Sequence, residues 1–216
     1  MMKPYFETKL GALYNCDCLE FMKEMEDDSV DLVLTDPPYG VGMAYDVFDD
    51  TFENVKNLMA KVMPEVLRIS NRTALTCATR QIGLYPLPKW ILCWFNKAGT
   101  GMNPWGFTCW QPVLVYGKDP YLENRKGSRP DYIEHSEASK KIGHPCPKPD
   151  KFWVKLLDRC SVIKSDTVFD PFIGGGATGI ACEKLGRKWT GVEISEKYCE
   201  IAAKRISLEA NQGKLW

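Results

Sequence analysis

Two stretches of this 216-residue chain place an acid at the end of an apolar run and follow it with residues that stiffen or free the backbone. The first is Thr35-Asp36-Pro37-Pro38-Tyr39-Gly40, directly after the run Val30 to Leu34. A turn accounts for it in part, since Pro-Pro stiffens the chain, Gly40 lets it reverse and aspartate is a common turn residue. The same residues also form a chemical set. An acid, two stiffening prolines and a flat ring stand together at a strand end, an odd amount of rigidity for a turn. The second stretch, Asp170-Pro171-Phe172-Ile173-Gly174-Gly175-Gly176-Ala177-Thr178-Gly179, again reads as strand, turn and helix. Gly174, Gly176 and Gly179 match GxGxxG, in which small residues let a ligand approach the backbone and the amides of a helix N-terminus. Glu193, at the end of the following strand, suits ribose hydroxyls.

Taken alone, the glycine corner also fits a nicotinamide-dependent oxidoreductase. Two features oppose that reading. Asp170 would set a negative charge near a pyrophosphate, whereas it could bind an ammonium group. The corner also stands so late that the N-terminal half must complete its sheet.

These corners need a scaffold. Short β-rich runs alternate with helical periodicity, the pattern of an α/β layer structure. Strands are predicted at Gly11–Asn15, Val30–Thr35, Thr73–Cys77, Trp90–Phe95, Pro112–Tyr116, Thr167–Asp170 and Trp189–Ile194, giving a mostly parallel seven-stranded sheet flanked by helices. Cys18, Phe21, Met22 and Met25 share a helical face behind Asp17, with Glu20 placed for a capping box. Val55, Leu58, Met59, Val62 and Val66 mark a helix from Glu53 to Ile69 that Pro64 should kink or divide. Phe152, Trp153, Leu156, Leu157 and Cys160 mark another, and Tyr198, Ile201, Ala202 and Ile206 a last one behind Ser195 as N-cap. Residues 1–216 are expected to form one domain, with 118–143 as a polar insertion, either a surface loop or a partner-contacting one.

The hydrophobic content of 44% suffices for a core. The absence of a long apolar run and of a signal-like N-terminus predicts a cytoplasmic protein with no membrane partner. The nine cysteines are scattered and are expected to be reduced, without a metal site. Net charge is zero, yet residues 1–60 are strongly acidic and the remainder equally basic, which permits a basic face.

With DPPY at 36–39, HPCPKP at 144–149 and DPFIGGGATG at 170–179, the chain resembles the β-class of S-adenosylmethionine-dependent amino DNA methyltransferases from about Leu13 to Ile206. In that class the DPPY motif precedes the cofactor motif, a circular permutation of the usual order. The resemblance implies a Rossmann-like methyltransferase fold in which the strands ending at Asp36 and Asp170 are neighbours. It implies that Asp170, Phe172, Gly174 and Gly176 surround the methionine part of S-adenosylmethionine, that Thr178 contacts its carboxylate, and that Glu193 binds the ribose. It implies that Asp17 takes the adenine amino group, although that residue equally suits a helix N-cap, and that His144, Lys148 and Pro149 pack beside the methionine end.

The same resemblance implies catalysis by Asp36, Pro37, Pro38 and Tyr39. The Asp36 carboxylate and Pro37 carbonyl would accept the two amine hydrogens, and Tyr39 would stack on a base extruded from the duplex. The expected substrate is DNA, with adenine N6 ahead of cytosine N4, RNA adenine as an alternative, and a homodimer left open. Pro-Cys at 145–146 has a counterpart in cytosine carbon-5 enzymes, but there the glycine-rich motif comes first. Most of Trp90, Trp94, Trp105, Phe107 and Trp110 are expected in the core, Trp105 being the best candidate for a base-pocket wall. Lys118, Arg125, Lys126, Arg129, Lys140 and Lys141 of the insertion are candidate phosphate contacts.

Overall fold

The computed structural model describes residues 2–99, 101–137 and 142–212. In chain order the elements are β1 (Phe6–Glu7), β2 (Gly11–Asn15), α1 (Cys18–Lys23), β3 (Leu32–Thr35), α2 (Phe52–Ile69), β4 (Thr73–Thr76), β5 (Trp90–Phe95), β6 (Gly101–Asn103), β7 (Gly106–Thr108), β8 (Trp110–Tyr116), α3 (Pro120–Glu123), β9 (Tyr132–Glu134), α4 (Asp150–Cys160), β10 (Thr167–Asp170), α5 (Ala177–Leu185), β11 (Lys188–Glu193) and α6 (Glu196–Gln212). A 3-10 turn at Thr79–Leu84 follows β4.

The main sheet runs β1-β2-β11-β10-β3-β4-β8-β5-β9, and β6 and β7 form a separate hairpin. Strands β2, β11, β10, β3 and β4 are parallel neighbours, whereas β8 is antiparallel to both β4 and β5. The sheet is thus mostly parallel, with nine strands in place of the expected seven. The additions, β1 and β9, are edge strands of two and three residues, too short to show a period in the sequence.

Alternation along β3 divides the core. Leu32 and Leu34 join the cluster of α4, α5 and α6, while Val33 faces the cluster of α1 and α2. All four β3 residues are buried, as expected of a strand covered on both faces. Val30 lies outside the strand, making an isolated parallel bridge to Ser70. Pro64 does not divide α2, because the helix is continuous and buries Val55, Met59, Val62, Met63, Val66 and Ile69. Tertiary packing outweighs the single missing N–H.

The aromatic expectation needs correcting. Only Trp94 of the five is buried, stacked on Phe152 at 4.0 Å between centroids. Trp105 is 99% exposed at the tip of the β6–β7 hairpin, which Met102 (72%) and Phe107 (76%) share, and Trp90 and Trp110 are also exposed. No helix among the described residues is long and apolar enough to cross a membrane.

Strand order places the ligand crevice. From β10 the chain crosses through α5 to β11 on one side, and from β3 through α2 to β4 on the other. Adjacent parallel strands whose connections diverge open a crevice outside their carboxyl ends. Asp170 ends β10 and Asp36 follows β3, so the two sequence corners meet there.

Candidate active site

Asp36 is held by three side chains. Tyr39 Oη donates to Oδ1 at 2.7 Å, Thr76 Oγ1 donates to the same oxygen, and Lys148 Nζ reaches Oδ2 at 2.6 Å. Tyr39 Oη accepts in turn from Gln111 Nε2 at 3.0 Å, so β4 and β8 both brace the Asp36 corner. The Lys148 ammonium lies 4.8 Å from the centre of the Tyr39 ring. Oδ1 therefore holds two hydroxyl donors, and the ammonium is the donor on Oδ2.

Asp170 is 2% exposed. It accepts from Thr35 Oγ1 at 2.6 Å, from Phe172 N at 3.0 Å and from Thr178 Oγ1. Burial pushes its carboxyl up to about 7 against the pull of those donors. The Thr178 hydroxyl also accepts from Trp153 Nε1 at 2.7 Å. The hydroxyl thus bridges Asp170 and Trp153, and Thr178 also lines the cavity between the two corners.

Glycine has a physical reason at two positions of the second corner. Gly176 caps α5 with φ +86°, and Gly174 has φ +49° where a Cβ would stand 2.9 Å from His144 Nε2. Gly174 N donates to Glu193 Oε2 at 3.0 Å and Ser195 N to Oε1 at 2.9 Å, which aims the carboxylate and leaves acceptor positions for hydroxyls. Burial also raises Glu193 above the usual carboxylate range. Asp17 caps α1, accepting from Leu19 N at 2.7 Å and Glu20 N at 3.3 Å through Oδ1, and it lines the same cavity. The N-cap reading is thereby observed.

His144 packs edge-on against Tyr198 at 4.6 Å, with Tyr45 on another side at 5.9 Å, and burial lowers it to about 4, so it is neutral. Pro149 starts α4 behind Lys148. Burial raises the Cys146 thiol, opposite to the activation a carbon-5 nucleophile needs. Sequence reasoning missed Thr35, Thr76, Gln111, Trp153 and Tyr45. The threonines end core strands beside the two acids, which was a usable signal. Gln111 and Trp153 reach the site only through tertiary pairing.

A cover was also missed. Asp50, 2% exposed, accepts from Gly40 N, Val41 N and Met43 N at 2.7, 3.0 and 2.9 Å, fixing the turn after Tyr39. Farther along this loop, Asp46 Oδ2 accepts from Ser195 Oγ at 2.6 Å. The loop therefore ties the Asp36 corner to the Glu193 corner.

Two cavities meet at Asp36. One, of about 310 Å³, is lined by Asp17, Phe172, Gly174, Thr178 and Glu193. The other, of about 1000 Å³, is lined by Pro37, Tyr39, Asn96, Trp105 and Phe107. Asp36, Tyr45, Cys146, Pro147 and Lys148 are common to both. The insertion divides between opposite sheet edges. Lys118 and Arg129 line a cavity with Arg72 and Thr73 at the start of β4, on the edge away from Asp36. Lys126 Nζ donates to Val162 O, and Arg129 stacks over Tyr121 at 4.6 Å. Just beyond β9, Glu137 lines the larger cavity at the Asp36 edge. Lys140 and Lys141 lie outside the described residues.

Residues 121–204 match the family model described as DNA methylase, N6_N4_Mtase. Type II methyltransferase M.BamHI of Bacillus amyloliquefaciens is 29% identical, the match covering 99% of this chain and 61% of that protein, so the chain spans less than two thirds of its length. The PvuII DNA methyltransferase (cytosine-N4-specific) superposes with TM-score 0.71 at 18% identity, over 97% of this chain and 94% of that one. The M1.HpyAVI-SAM complex superposes with TM-score 0.67 at 22% identity, over 91% and 98%. The fold is that of the S-adenosylmethionine-dependent DNA methyltransferases. The resemblance to amino DNA methyltransferases carried by the sequence motifs is borne out.

Proposed function

We propose that this chain transfers a methyl group from S-adenosylmethionine to the exocyclic amine of a base flipped out of DNA, adenine N6 being the first choice. The observation that carries this reading is the position of Asp36 on the wall common to two cavities. The smaller cavity suits the cofactor. Its glycine turn would be filled by any Cβ at Gly174, Asp170 offers a carboxylate to an ammonium group, and Glu193 offers acceptors to ribose hydroxyls. Four acidic side chains on that wall, Asp17, Asp36, Asp170 and Glu193, oppose a nicotinamide dinucleotide, whose pyrophosphate is anionic. When bound, the cofactor supplies an electrophilic methyl group on a sulfonium. The chain's own residues draw out the amine lone pair: Asp36 and the Pro37 carbonyl accept its hydrogens, and Tyr39 supports the ring. Holding the amine in line with the methyl supplies much of the rate.

We further propose one functional domain over residues 1–216 acting in the cytoplasm, with oligomerisation to a homodimer to be read by light scattering. The β6–β7 hairpin faces the DNA, while Lys118 to Asp131 do not. Cytosine N4 is the second reading, favoured by the likeness to the PvuII enzyme. Incubating unmethylated DNA, and RNA in parallel, with labelled cofactor and analysing nucleosides by mass spectrometry tests the assignment. N6-methyladenine in DNA is expected, and absence of transfer to either polymer despite cofactor binding refutes the enzyme reading.

A further inference from the structure

Lys148 matches a motif position that suggests the cofactor, yet its ammonium is turned to the other partner. Its side chain is 6% exposed, Nζ stands 2.6 Å from Asp36 Oδ2, and the same nitrogen lies 4.8 Å from the Tyr39 ring centre. A base stacked on Tyr39 and donating its amine to Asp36 would need a nitrogen about 2.9 Å from that carboxylate, within the same few ångströms of the ring. The requirements overlap. An ammonium offers Asp36 the same N–H donor as an amine, and it offers the ring face a cation in place of a π-system.

We infer that Lys148 is a displaceable occupant of the target-amine subsite, satisfying Asp36 until the base arrives and then yielding its place. This rests on the proposed transfer to a base amine. A half-buried carboxylate with no cation near it would be costly, and Thr76 and Tyr39 alone bring only neutral hydroxyls. Arrival of the amine replaces the hydrogen bond though not the charge, so Oδ2 keeps a donor while Tyr39 and Thr76 hold Oδ1. Lys148 lines both cavities, which gives the ammonium space to withdraw. Lys148 is on this account a positioning residue that competes with the substrate and acts on the reaction through Asp36.

The test compares wild type, Lys148→Met and Lys148→Arg on DNA containing the site found by sequencing of methylated product. Steady-state kcat and KM for DNA are measured, with cofactor affinity determined by calorimetry without DNA. Lys148→Met keeps the stem but removes the competitor, so KM for DNA should fall, on the order of tenfold, with cofactor affinity weakened no more than about threefold. Lys148→Arg grips the carboxylate with two donors and should raise KM. An unchanged or raised KM in Lys148→Met, or a loss of cofactor affinity in that variant while it remains folded by circular dichroism, overturns the inference. If Lys148→Met does not fold, Lys148→Arg decides, an unchanged or lowered KM being the contrary result. Wild type that transfers no methyl group at all would instead remove the proposed function, and this inference with it.

Discussion

The carboxyl of Asp170 should make cofactor binding depend on pH. Burial moves it from an ordinary 3.8 to about 7, roughly three units, equivalent to on the order of 4 kcal/mol of added cost for its charge in the folded protein. A cationic ligand beside it recovers part of that cost by drawing the group back toward the carboxylate. Binding is then coupled to release of a proton. Below pH 7 the affinity for S-adenosylmethionine should weaken by up to about tenfold per unit, and calorimetry at pH 6 in buffers of different ionisation enthalpy should report about one proton released. His144, at about 4, titrates outside this window. Asp36, Lys148 and Glu193 also face the cavity, so Asp170→Asn is the control, and it should bind with little pH dependence and release no proton near pH 6. The sign for stability follows from the same shift. Between about 4 and 7 the unfolded chain has lost a proton that the native state keeps, so this group's contribution to stability falls as pH rises through that window. Denaturant melts should show it in wild type and not in Asp170→Asn. Wild type that releases no proton on binding between pH 6 and 7, or Asp170→Asn that still does, would refute the reasoning.

Four further substitutions separate the parts of the site. Asp36→Ala should abolish transfer while calorimetry shows cofactor binding retained; a folded variant unable to bind cofactor would contradict the division between the cavities. Thr76→Val removes one donor from Asp36, and kcat should drop by roughly 1–2 kcal/mol of activation energy, about five- to thirtyfold, with cofactor affinity unchanged in titrations. Ser195→Ala breaks the tie to Asp46 and should speed cofactor dissociation in stopped-flow traces, whereas an unchanged rate would show that the loop does not cover the ligand. Trp105→Ala at the exposed hairpin tip should weaken DNA binding in gel shifts without lowering the melting temperature, which a core tryptophan could not do.

Both chemical corners were legible because each combines a strand end with residues that have few other uses in sequence. Asp36, Tyr39, Asp170, Gly174, Gly176 and Glu193 come together as their motifs implied. Strand boundaries were also close, and Gly11–Asn15, Trp90–Phe95 and Thr167–Asp170 coincide with the observed ones. What sequence could not supply was the partner of each side chain. The motif position of Lys148 said nothing about which neighbour its flexible stem would reach. The basic residues of the insertion gave no sign of their sheet edge, since that depends on β8 running antiparallel to β4. The aromatic run from Trp90 to Trp110 reads as core because strands with such residues are usually covered, but β6 and β7 pair only with each other and leave a face bare.

The contact between Thr35 and Asp170 joins residues 135 positions apart, and it lies where β3 pairs with β10. Neither half of the chain can build its corner alone, because each acid is oriented by groups contributed from the other half. Closing so long a loop is slow compared with forming local helices. Methyl transfer should therefore return only with the slowest phase of refolding, after helical signal has recovered, and partly folded chains would be inactive rather than weakly active. Catalytic competence in this architecture reports that the central strands have zipped together.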